Sequence, residues 1–88
     1  MITMEQALNV VRNERNGDYI LKAFEYKDEY IFEVLSKDYK KMHSDPAMFW
    51  VMNKTSGSLK CVSPFSYGEA WGSEAYKNAK TIDKVSFD

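Results

Sequence analysis

Eighty-eight residues, 10.2 kDa, 44% hydrophobic and 28% charged, fit one domain, with no room for two that fold independently. That apolar fraction excludes global disorder. Twelve basic and thirteen acidic side chains leave a net charge of −1, without the basic excess of a duplex-binding domain. The unusual figure is the aromatic load: five Phe, six Tyr and two Trp in so short a chain. Each such ring buries ~150–250 Å² when packed. A single cysteine, Cys61, excludes an internal disulfide and the multi-cysteine zinc frameworks, and it points to a reducing compartment. Met1-Ile2-Thr3-Met4-Glu5-Gln6 lacks the basic segment and apolar run of a secretory signal. The longest apolar runs, such as Ala47 to Met52, fall far short of the ~20 residues that span a bilayer. A soluble, cytoplasmic protein is expected.

Thr3 to Asn16 predicts an amphipathic helix. Thr3 and Gln6 have the spacing of a capping box, and Ile2 with Ala7 can staple the entry. Met4, Ala7, Leu8 and Val11 repeat at helical spacing, with Val10 widening the stripe. Arg12 and Arg15 suit the C-terminal end of the dipole, and Asn16-Gly17 supplies a left-handed stop. Tyr19 to Ser36 predicts a β-hairpin. A three-residue loop, Lys27-Asp28-Glu29, pairs Tyr26 with Tyr30, Phe24 with Phe32 and Ile20 with Ser36. That register gathers Ile20, Phe24, Tyr26, Tyr30, Phe32 and Val34 on one face, which favours it over a two-residue loop that scatters the rings.

Lys37 to Pro46 is a polar connection with Tyr39 and Met42 embedded. Ala47 to Asn53 and Leu59 to Ser63 predict a second hairpin, turning through Lys54-Thr55-Ser56-Gly57 with the glycine at a positive-φ position. Met48, Trp50 and Met52 alternate with Ala47, Phe49 and Val51, so both faces of that strand are apolar and both are expected to be covered. Pro64 ends the next strand. In the tail, Ser73 caps a short helix through Lys80, Gly68 and Gly72 break any longer one, and Thr81 to Phe87 form an extended edge or a frayed end. The expectation is a single α+β domain over residues 1–88. An N-terminal helix packs on an antiparallel sheet of two consecutive hairpins, followed by a short C-terminal helix.

Asp45-Pro46-Ala47-Met48-Phe49-Trp50-Val51-Met52-Asn53-Lys54-Thr55-Ser56-Gly57-Ser58-Leu59, closing on Ser63-Pro64, resembles a pattern in small Gram-positive bacterial and prophage proteins of unassigned function. There an Asp-Pro precedes an aromatic strand, a Lys-Thr-Gly-type turn and a short strand ending in Ser-Pro. A similar order occurs in PepSY-type domains and YrhB-like immunity proteins. The resemblance spans about residues 3–65. This chain departs from it by inserting Ser56 and by carrying Trp50 and Met52 where smaller, more polar residues are usual. It implies a small α+β fold with a protein-binding or inhibitory role, and it carries over no catalytic residue.

Candidate chemistry is sparse. His43-Ser44-Asp45 holds the residue types of a hydrolase triad, but consecutive loop residues cannot form the required chain of contacts, and a Ser-Asp-Pro turn accounts for them. Cys61 follows Lys60, yet neighbouring strand residues point to opposite faces, and a buried, inert thiol is expected. Neither metal spacing nor a glycine-rich nucleotide loop occurs, so no catalytic, metal or cofactor residue is assigned. Asp28 and Glu29, near Glu25 and Glu33, make an acidic hairpin end. Tyr39, Lys40 and Lys41, with Lys37 and His43, make a small basic and aromatic loop of the kind that binds single-stranded nucleic acid.

The aromatic surplus remains. Tyr67, Trp71 and Tyr76 lie in the irregular tail, outside the obvious core, and such residues are enriched at interface centres. The leading expectation is a non-enzymatic protein-interaction module. It would be an accessory, inhibitor or structural protein of a phage or prophage, binding itself or another protein. Tyr67, Trp71 and Tyr76 would be the anchors, with Asp28 and Glu29 at the rim. The alternative is single-stranded nucleic-acid binding through Tyr39, Lys40 and Lys41.

Overall fold

Thr3 sets where the chain first becomes regular. Its hydroxyl accepts the Gln6 N–H at 3.1 Å, and the Gln6 side chain accepts the Thr3 N–H at 2.9 Å. This reciprocal cap opens helix α1, Met4–Glu14. Ala7 and Val11, one turn apart, are fully buried on its inner face. Arg15 closes the helix by donating its backbone N–H to Val11, and Gly17 at φ 92° turns the chain toward the sheet. The structure is a computed structural model and describes residues 1–44 and 46–86. Asp45, Phe87 and Asp88 therefore lie outside the described residues, as do the parts of the expectations that rest on them.

The strands are β1 (Tyr19–Tyr26), β2 (Glu29–Leu35), β3 (Ala47–Asn53), β4 (Leu59–Val62) and β5 (Lys80–Thr81). They form one antiparallel sheet in the order β4-β3-β2-β1-β5. With α1 and two one-turn C-terminal helices, α2 (Gly68–Trp71) and α3 (Glu74–Lys77), the fold is α+β, as the pattern of elements predicts.

The register of the first hairpin differs from the expected one. The turn holds two residues, Lys27 and Asp28, so Tyr26 pairs with Glu29 and Phe24 with Ile31. Lys27 sits at φ 53°, a conformation that costs a non-glycine residue energy, and the turn carries no glycine or asparagine to mark it in the sequence. A one-residue change of register moves one strand's side chains to the opposite face. Phe24 and Tyr26 therefore lie across the sheet from Tyr30, Phe32 and Val34 instead of beside them. An irregularity between Ile20 and Lys22 reverses the alternation once more, which returns Ile20 to the Phe32 side.

Two cores result, one on each face. On the first face Ala7 and Val11 of α1 pack on Ile20, Ala23, Tyr30, Phe32, Val34 and Met52. On the second, Ala70 of α2 packs on Phe24, Ile31, Phe49 and Val51, with Tyr67 and Tyr76 joining from the tail. The double apolar alternation of β3 is explained, since helices cover both of its faces.

The second hairpin turns as expected. Gly57 has φ 74°, and a Cβ there would lie 2.9 Å from the Ile2 side chain. Asn53 steadies the turn, its side chain accepting the N–H groups of Thr55 and Ser56 at 2.9 Å. Ser73 caps a helix as expected, accepting the Tyr76 N–H at 3.2 Å, but that helix ends at Lys77. The preceding turn, α2, is an addition to the expected elements.

The tail crosses the second face from the β4 edge to the β1 edge. There Lys80 and Thr81 pair with Ala23 and Lys22. Asp83 then fixes the segment. Its carboxylate accepts the Ile20 N–H at 2.8 Å and the Arg12 guanidinium at 2.9 Å, which holds the carboxyl below the ordinary aspartate range.

Candidate functional site

The three tail aromatics separate into two kinds. Tyr67 and Tyr76 are half-buried in the second core. The Tyr76 ring meets Phe24 edge-on at 5.6 Å, and its hydroxyl donates to Glu33 at 2.9 Å. Tyr67 packs edge-on against Tyr26 at 5.9 Å and donates its hydroxyl to Glu29. Burial, and then the neighbouring carboxylate, push both phenols up, so both stay protonated donors. These two tyrosines, expected as exposed anchors, instead hold the C-terminal helices to the sheet. The reason is register: the two-residue turn puts Phe24 and Tyr26 of β1 on the same face as Glu29 and Glu33 of β2, and the tail packs on that face.

Trp71 differs. At the end of α2 it is 40% exposed and stands edge-on to Phe65, 5.3 Å away. Phe65 is 73% exposed. It is not among the expected anchors: Pro64 marks a turn here, and a turn signal alone does not give the direction of the ring that follows. Ser63 builds the turn, its side chain accepting the Phe65 N–H at 3.1 Å and its carbonyl accepting the Tyr67 N–H. Ala70 turns α2 onto Phe49 and Val51, and Trp71, the next residue around the helix, is left partly exposed beside Phe65 while its side chain also reaches Tyr76.

The acidic hairpin end is largely committed to internal contacts. Lys54 binds Glu25 at 2.7 Å, and Lys60 reaches Glu29 at 3.8 Å. Asp28 is exposed at the tip, and its carbonyl accepts the Lys54 N–H at 3.0 Å. Asp28 and Glu29 thus sit at the opposite end of β2 from its Leu35 terminus, and only Asp28 has the accessibility of a rim residue.

The basic and aromatic loop contains a turn of 3-10 helix, Tyr39–Lys41. Tyr39 meets Tyr19 edge-on at 6.3 Å and donates its hydroxyl to the Ser86 carbonyl at 3.3 Å. Lys40 lies 5.8 Å from the Tyr39 ring centre. Tyr19, Lys37, Tyr39, Lys40 and Lys41 line one hollow, with Asp38 as its acid.

Cys61 is exposed on β4, where a buried thiol was expected. An edge strand explains this, because among the described residues only β3 flanks it. Desolvation pushes the thiol up more strongly than Arg15 draws it down, which is the reverse of an activated nucleophile. His43 and Ser44 lie on an exposed bend. Among the described residues, no group of three or more His, Cys, Asp or Glu is arranged for a metal ion, and no helix is long and apolar enough to cross a membrane.

A shallow cleft of about 170 Å³ opens beside Cys61 on the α1 face. Met42, Met48 and Trp50 line it, and the Arg15 guanidinium lies 5.5 Å from the Trp50 ring. The volume suits a side chain better than a cofactor. No family model, curated protein or solved structure matches this chain.

Proposed function

We propose that this domain is a non-enzymatic protein-interaction module whose contact surface centres on Phe65 and Trp71. The observation that carries this reading is the exposed, mutually packed ring pair, Phe65 in the turn built by Ser63 and Trp71 at the end of α2. Aromatic rings held rigid at a surface lose little side-chain entropy on binding, and Trp is among the residues most enriched at interface centres. The resemblance of the second hairpin to small Gram-positive and prophage proteins supports an accessory, inhibitory or structural role in a cytoplasmic setting, toward another protein or a second copy. Affinity capture from source-cell lysate, compared between the native chain and Phe65→Ala/Trp71→Ala, tests the reading. A partner retained by the native chain and lost by the variant is expected. Equal retention by both chains, with a native fold in each, refutes it.

A second reading keeps one specific observation: three lysines and two tyrosines share a single hollow. Such a hollow suits a single-stranded nucleic acid, with Tyr39 stacking a base and Lys40 and Lys41 meeting phosphates. Salt-dependent binding to single-stranded oligonucleotides, lost in Lys40→Ala/Lys41→Ala, is its expected signature. Absence of binding at low salt removes it.

A further inference from the structure

The two edges of the sheet are finished differently. At the β1 edge, β5 adds a short strand, and the Ile82 and Asp83 N–H groups continue the contact to the Leu21 and Ile20 carbonyls. At the β4 edge, no strand among the described residues lies outside Leu59–Val62. The Asn53 N–H donates to the Ser58 carbonyl at 3.0 Å, which fixes the phase of the β3–β4 ladder. Alternation then turns the backbone groups of Lys60 and Val62 toward β3 and those of Leu59 and Cys61 outward. Two N–H and two C=O groups therefore face solvent in the spacing that an added strand requires.

We propose that the outer edge of β4 takes up an extended, acidic segment of a partner protein by strand addition. This rests on reading the domain as an interaction module, and it names the mode and the partner's chemistry. Charge selects the occupant. Lys60, at the middle of the strand, has a side chain 59% exposed on the second face. A residue added opposite Lys60 occupies a non-hydrogen-bonded site, where cross-strand side chains approach most closely. A carboxylate there complements the ammonium.

A second copy paired about Lys60 would set two ammonium groups against each other, which is how edge lysines discourage self-association. Side chains flanking the carboxylate in the added strand point to the α1 face, beside Cys61 and the Met42–Met48–Trp50 cleft. The apolar lining there calls for an aliphatic residue. Phe65 follows Val62 by three residues, so its backbone stands within ~11 Å of the strand end.

A nine-residue peptide of alternating Glu and Val, with a Lys/Val counterpart, probes the edge directly. The Glu/Val peptide is expected to shift the Leu59 and Cys61 amide resonances and to slow their hydrogen exchange at least tenfold. Lys60→Glu is expected to weaken it at least tenfold and to reverse the preference toward the Lys/Val peptide. Cys61→Pro removes an outward N–H without touching the β3 ladder, and it is expected to abolish binding of both. No response at Leu59 and Cys61 at millimolar peptide overturns the proposal, as does binding indifferent to Cys61→Pro in a folded variant. Concentration-dependent dimerisation lost in Cys61→Pro also overturns it, in favour of self-pairing. A captured partner lost with Phe65→Ala/Trp71→Ala but kept with Cys61→Pro leaves the interaction module standing and removes strand addition alone.

Discussion

The two faces of the sheet are covered by unlike means. On the first face, an eleven-residue helix with a complete capping box lays Ala7 and Val11 onto aliphatic and aromatic side chains. On the second, α2 and α3 have four residues each, too few to be stable alone. They are held through rings and hydroxyls: Tyr76 against Phe24 and Phe49, Tyr76 on Glu33, and Tyr67 on Glu29. Tyr26 adds a third bond of this kind, donating to Glu69 of α2. A long helix covers a sheet by continuous apolar contact, whereas single turns need directional bonds to stay in place. The contrast accounts for much of the aromatic load, because a tyrosine supplies both the buried ring and the bond.

Truncating the fully buried rings tests whether both faces matter equally. Phe32→Ala on the first face and Phe49→Ala on the second are each expected to cost roughly 3–5 kcal/mol in urea denaturation. Against the 5–15 kcal/mol typical of a domain, either change removes a large share of stability. A loss below about 1 kcal/mol for Phe49→Ala would mean that the second face is dispensable. Tyr67→Phe and Tyr76→Phe keep the rings and delete the hydroxyl bonds, with an expected cost of roughly 1–2 kcal/mol each. Amide exchange locates the effect. Faster exchange at Gly72 and Asn78 with unchanged protection at Arg15 is expected, and uniform acceleration would erase the distinction between the faces.

The smallest effect concerns the latch that joins them. Arg12, and then the Ile20 N–H, hold the Asp83 carboxyl below its ordinary value, so the fold favours the carboxylate form. The latch is intact above pH ~4 and is lost as pH falls through the lower folded value. Asp83→Asn is expected to flatten that acid limb of Tm against pH. An unchanged limb would show that other carboxylates carry it.

Legibility from sequence followed the locality of each signal. The Thr3/Gln6 box, the Gly57 turn and the Ser73 cap each depend on residues within four positions, and the structure has all three. The double-faced β3 was legible because both of its faces are apolar. The register of the first hairpin is not legible, because matching of the aromatics favours a three-residue loop while Lys27 adopts a positive φ without the usual sequence marker. The three-residue register also places Phe24 and Tyr26, the ring partners of Tyr76 and Tyr67, on the opposite face, so it offers the tail nothing to pack on. Trp71 stayed at the surface, and Phe65 lay in a turn whose outward ring only the position of α2 makes plain.

The crossing of the second face by the tail has a consequence for biosynthesis. Residues through Val62 contain α1 and four adjacent antiparallel strands, so this part can assemble while the chain is still emerging. Phe24, Ile31, Phe49 and Val51 then face solvent until α2 and α3 follow. α3 ends 15 residues after Val62, and at ~5–20 residues per second that exposure lasts about 1–3 s. During this interval the nascent chain carries an uncovered apolar sheet face that the finished protein does not present.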